Sequence, residues 1–112
     1  MAKEYFEKLL NLIIELKIAD EVDDPWEVKH FFSGAAFYVD GSIRVTWTPV
    51  GLAFKLQRFE VDELISSGKA NPLKYFSKGK LKKDYALFKN PTSLDNKELR
   101  SYFIKAAQIN GH

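Results

Sequence analysis

The chain has 112 residues, 17 Lys+Arg against 15 Asp+Glu, two histidines and no cysteine. That is the length of one ordinary domain with a core of its own, and the lack of cysteine excludes a disulfide framework, a thiolate metal site and a cysteine nucleophile. A net charge of +2 does not mark a nucleic-acid protein by itself, no apolar run approaches the ~20 residues of a membrane span, and Met1-Ala2-Lys3-Glu4 with Glu7 is unlike a secretion signal. The expectation is a single-domain cytoplasmic globule.

Residues 3–17 read as a helix, because Phe6, Leu9, Leu10, Ile13 and Ile14 recur at three- and four-residue spacing opposite Glu4, Lys8, Asn11 and Glu15. The acidic stretch Asp20 to Pro25 breaks the period and reads as a loop, since Pro25 disfavours helix at Asp24. From Val28 the pattern is that of strands. Lys29-His30-Phe31-Phe32 lies inside the first of them, and Asp40-Gly41 is the strongest hairpin signal, suited to a turn with two positive φ angles.

A two-residue turn there sets Tyr38 opposite Ile43, Phe37 opposite Arg44, Ala36 opposite Val45 and Gly34 opposite Trp47. Ile43, Val45 and Trp47 then share a face with Leu52, Phe54 and Leu56, provided that the turn at Thr48-Pro49-Val50-Gly51 has an even loop, because a one-residue slip inverts a strand. The same register places Gly34 under the Trp47 ring. It also puts Phe37 and Val39 on the face away from the helices, with Arg44, Thr46, Lys55 and Gln57. An outward Phe37 beside Arg44 and Lys55 suggests a surface for a protein partner or for self-association.

Residues 60–67 read as a short helix ended by Gly68. Leu73–Phe76 and Leu81–Phe88 read as a second hairpin, with Lys78, Lys80, Lys82 and Lys83 crowding its tip and Tyr85 and Leu87 pointing into the core. Asp95 is the expected N-cap of the last helix, with Glu98 completing the capping box, Leu94 and Leu99 as staple, and Asn110-Gly111 as its stop. The order is helix, three strands, helix, two strands, helix: an α+β class with an antiparallel sheet and helices on one face.

Charge is unevenly spread. Residues 1–27 carry three basic and eight acidic side chains, and residues 55–90 carry nine basic and four acidic ones. Such asymmetry can steer a charged partner. Lysines 74, 78, 80, 82, 83 and 89 interleave with Tyr75, Phe76, Tyr85 and Phe88, the residue types that neutralise phosphates and stack bases, so nucleic acid is the alternative partner. Catalysis has no candidate set: His30 sits within a strand, His112 is terminal, and Ser33 and Ser42 lie in no nucleophile elbow. Asp20, Glu21, Asp23 and Asp24 lack the glycine and final glutamate of a calcium loop, no Gly-rich phosphate loop is present, and no cofactor is expected.

Phe31-Phe32-Ser33-Gly34 through Asp40-Gly41 resembles the "F-G-G-x-x-x-(Y/F)-x-x-(D/N)-G" stretch of the TfoX N-terminal domain family. Leu52-Ala53-Phe54-Lys55-Leu56 is similar to its "L-Y-L-(K/R)" strand, Tyr75-Phe76-Ser77-Lys78-Gly79 with Tyr85 to its hairpin, and Pro91, Leu94, Asp95 and Glu98-Leu99 to the start of its last helix. The resemblance runs from about Phe6 to Ala107. It implies a secretion-chaperone-like α-β3-α-β2-α domain without catalytic residues. The family's named regulators of natural competence work with the cyclic-AMP receptor protein at promoters and carry a further C-terminal domain. Residues 1–112 read as the N-terminal type alone, a non-enzymatic interaction or regulatory module.

Overall fold

The structure, a computed structural model, describes residues 2–74 and 79–109. Helix α1 (Ala2–Glu15) buries Leu9 and Ile13 along the stripe its periodicity marks, and Leu16 and Ile18 continue that contact through a short 3-10 turn. Strands β1 (Trp26–Phe31), β2 (Gly34–Val39), β3 (Ser42–Thr48) and β4 (Gly51–Lys55) follow, then α2 (Arg58–Ser66), β5 (Asn71–Leu73), β6 (Lys82–Phe88) and α3 (Asn96–Gln108). The strands form one antiparallel six-stranded sheet in the order β1-β2-β3-β4-β6-β5.

The class is α+β, as the sequence indicates. The first strand block holds four strands rather than three, because the segment read as one long strand folds back at Phe32-Ser33. Glycine at position 34 permits that fold. A Cβ there would stand 2.1 Å from the Trp47 carbonyl oxygen and 2.7 Å from the Thr48 Cα, so the crowding comes from backbone and not from the Trp47 ring. Trp47 itself pairs with Ala35.

All three helices cover one face. Leu9 and Ile13 of α1, Val61 of α2, and Leu99, Phe103, Ala106 and Ala107 of α3 join the main core, whereas the cluster on the other face, Ala53, Leu73 and Leu87 with Val50 and Tyr85, takes none of the described helix residues. At the β2–β3 turn Asp40 and Gly41 have φ of 51° and 79°, the two positive angles expected. Pro49-Val50 is an even loop, and Trp47 faces Leu52 and Val45 faces Phe54. Asp95 caps α3 by accepting the Glu98 N–H at 2.8 Å. The stop at Asn110-Gly111 lies outside the described residues.

The expected β2–β3 register fails part-way along. Tyr38 pairs with Ile43, but Phe37 pairs with Val45, leaving Arg44 as the extra residue of a β-bulge. From that point the alternation of β2 against β3 is reversed relative to a regular hairpin. Phe37 and Val39 turn inward and are 0% exposed, with the Phe37 ring 5.7 Å from Trp26 and 6.3 Å from Phe103. Ile43 goes to the opposite face. Burying a large apolar side chain contributes roughly 1.5–3 kcal/mol, so turning two inward outweighs one irregular ladder position.

Tyr85 and Leu87 also differ from expectation. They pack on the face without helices, while Ala86 and Phe88 enter the main core. Ala36, Thr46 and Ala53 on that same face are 0% exposed. In a flat sheet β1 and β6 would lie roughly 19 Å apart, four strand spacings. Yet one cavity is lined by Phe31 of β1, Ile43 of β3, and Lys82 and Tyr85 of β6. The end of β1 and the start of β6 thus come to line one cavity.

Candidate functional site

The residues expected to form an exposed contact face do not form one. Phe37 is wholly buried. Arg44 is 6% exposed, and its Nη1 donates to the carbonyls of Ala106 at 3.1 Å, Ala107 at 3.3 Å and Ile109. The bulge aims it at the C-terminal end of α3, where carbonyls have no helical partners. Lys55 does lie on the face away from the helices, paired with Tyr85, but its side chain is only 13% exposed and its ammonium stands 4.0 Å from Asp84. Solvent reaches none of the three well enough for them to recruit a partner together.

Lys80, Lys82 and Lys83 are exposed, while Lys78, with Tyr75 and Phe76, lies outside the described residues. Lys80 and Lys82 line a cavity of about 360 Å³ with Phe31, Phe32, Ile43, Tyr85 and Gly79. Its walls are largely aromatic and aliphatic, with two ammonium-bearing chains at the side. The Phe31 and Phe32 rings are 4.5 Å apart at 58°. The Tyr85 hydroxyl donates to the Ile43 carbonyl at 3.1 Å, which holds its ring as a wall. Phe32 stands at the first central position of the β1–β2 turn with φ 50°, and it is 62% exposed. Glycine is the usual occupant of such a position, and a bulky residue held in a sparsely populated region costs of order ~1–3 kcal/mol.

A second cavity, about 390 Å³, opens between α2 and the β5–β6 hairpin. Lys82 and Lys83 line it with Arg58, accompanied by one acid, Asp62, and by Leu81, which is 45% exposed. Lys82 thus belongs to both cavities, and Lys80, Lys82, Lys83 and Arg58 form a basic strip running from the aromatic cavity to the edge of α2. A third cavity, about 320 Å³, sets Glu21, Asp23 and Asp24 near Arg44 at the end of α3. Among the described residues no group of three or more His, Asp or Glu side chains is placed to hold a metal ion. His30 stacks its ring on Phe6 at 4.9 Å, so the one described imidazole faces α1 and not the aromatic cavity.

No family model, curated protein or solved structure matches the chain.

Sequence reasoning set Tyr85 among the lysines but missed Phe31, Phe32 and Ile43 as their neighbours. A signal was present for the first two: Ser33-Gly34 is a turn dipeptide, and breaking the strand there exposes the preceding aromatic. For Ile43 there was none, because the bulge that turns it outward leaves no mark in the alternation. Among the described residues no helix is long and apolar enough to cross a membrane.

Proposed function

We propose that this chain is a non-enzymatic, cytoplasmic accessory module that binds nucleic acid through its lysine-rich end. The observation that carries the reading is the position of Lys82, shared by two cavities, which joins Lys80, Lys83 and Arg58 into one strip beside exposed Phe32 and Leu81. Spaced ammonium and guanidinium groups neutralise successive phosphates, and the released counterions drive association. Glu21, Asp23 and Asp24 belong to another part of the surface, around the end of α3, and among the described residues lining the two cavities four are basic against one acid, Asp62. The resemblance to TfoX N-terminal domains supports a regulatory setting for such a module.

A protein partner is the second reading, and what favours it is Leu81, an apolar side chain exposed amid these lysines. Fluorescence anisotropy of labelled DNA and RNA separates the two. Nucleic-acid binding should be measurable at low salt, fall steeply as salt rises, and lose about one unit of salt slope with Lys82→Glu. An absence of binding to any DNA or RNA at low salt overturns the first reading and leaves the second.

A further inference from the structure

We propose that β1 is a docking edge for a second copy of this chain. The two β1 strands pair antiparallel about a two-fold axis at Val28, so that Glu27 of each copy meets Lys29 of the other. The proposal goes beyond the nucleic-acid reading and does not depend on it. Three features of the edge carry it.

The first is an open row of backbone groups. The sheet ends at β1 on one side and at β5 on the other. The Asp40 N–H donates to the Pro25 carbonyl at 2.7 Å, and the β1–β2 register runs on from there without a shift. Hydrogen bonding alternates along an antiparallel strand. Glu27 and Lys29 therefore turn their backbone groups toward β2, and Trp26, Val28 and His30 turn theirs outward. Among the described residues none hydrogen-bonds those outward groups.

The second is the contrast between the two edges. Strand β5 is three residues long with Pro72, which has no N–H, at its centre, and its pairing with β6 shifts beside that proline. Short length, proline and irregular register are the devices that keep an edge from pairing. Strand β1 has six residues, no proline and an unbroken register. One edge is blunted and the other is left fit for addition.

The third is charge. The Glu27 and Lys29 side chains are both more than half exposed, and the Lys29 Nζ stands 3.6 Å from the Glu27 carboxylate and 5.0 Å from the centre of the Tyr38 ring. An axis at Val28 sets Glu27 opposite Lys29 twice, at the non-hydrogen-bonded positions where facing side chains come closest. Moving the axis to either neighbouring residue would set Glu27 against Glu27 or Lys29 against Lys29, which is unfavourable. The edge is thus complementary to itself in one register. That register also pairs Trp26 with His30 of the second copy, two rings already held in place by Phe37 and Phe6.

The test is sedimentation velocity of the intact chain from micromolar to millimolar concentration, without nucleic acid. The wild type should pass from monomer to dimer over that range. Glu27→Lys and Lys29→Glu each set like charges opposite at both positions and should each weaken the dimer about tenfold or more. Mixed in equal amounts, these two variants should form a heterodimer, because every lysine then meets a glutamate. The double variant, Glu27→Lys with Lys29→Glu, should dimerise as the wild type does. Recovery in the mixture and in the double variant shows that neither single change has unfolded the chain. A wild type that stays monomeric at millimolar concentration overturns the proposal. So does a dimer that neither single variant weakens, and so do single variants that remain apart when mixed. Each of these failures leaves the lysine-rich strip, which is read by nucleic-acid binding, untouched.

Discussion

Arg44 closes the C-terminal end of α3: its Nη1 lies 3.1 Å from the Ala106 carbonyl oxygen, across 62 residues of chain. One guanidinium nitrogen serves three carbonyls there, while the Nε of the same side chain is buried without a partner among the described residues. Hydrogen bonds to a charged group contribute roughly 1.5–3 kcal/mol, and the orphaned Nε subtracts from that. Arg44→Met, which keeps the packed stem, should therefore destabilise by ~1–2 kcal/mol, and Arg44→Ala by ~3 kcal/mol because the stem is lost too. Urea unfolding of the two variants beside the wild type measures the difference. Equal midpoints for all three would show that the arginine does not secure the helix end.

Gly34 and Gly41 both occupy turns, and they should respond differently to alanine. At Gly34 an added methyl would meet the Trp47 and Thr48 backbone, which cannot step aside; at Gly41 nothing lies within 4 Å and only the φ of 79° opposes it. Gly34→Ala should cost about 3 kcal/mol or more, Gly41→Ala ~1–2 kcal/mol. Thermal or urea melts of the pair check the ranking.

Phe32→Gly should leave the fold intact and raise its stability by up to ~1 kcal/mol. Relief of the positive φ is partly offset by the greater freedom of glycine in the unfolded chain. A gain in stability would show that the positive φ at Phe32 costs more than its ring contacts, such as that with Phe31, return. A loss of more than ~1 kcal/mol would mark it as structural.

Two surface pairs give opposite pH dependence. A hydrogen bond from Lys8, and then its charge, hold the Glu4 carboxyl below its ordinary 4.5, and the Nζ–Oε1 distance is 3.0 Å. The stability that this pair contributes is present above pH 4.5 and is lost as pH falls through the lowered folded value. The Lys69 ammonium, hydrogen-bonded to Glu98 at 3.0 Å, is pushed above its ordinary 10.5. Its contribution is full below pH 10.5 and is lost as pH rises through the raised folded value. Both groups are exposed, so the effects should be small and should shrink in salt. Glu4→Gln should flatten the acid limb of a melting-temperature profile and Lys69→Gln the alkaline limb, each leaving the other unchanged.

Local chemistry wrote most of the fold into the chain. The stripe of α1, the Asp40-Gly41 turn, the even loop at Pro49-Val50 and the Asp95 cap each depend on residues a few positions apart, and each appears where the residues indicate. These interactions are settled within one turn or one hairpin, so sequence alone determines them.

Tertiary structure decided which way the sheet's side chains face. At Arg44 a regular hairpin and a bulged one are both compatible with the alternation of β3. The choice falls to partners remote in the chain: Trp26 and Phe103 receive Phe37, and the α3 carbonyls receive the guanidinium. The same holds for the candidate site, where the end of β1 and a lysine of β6, four strands away, come to line one cavity. Burial energy and carbonyl satisfaction are summed over the whole molecule, and a periodicity read along one strand contains neither.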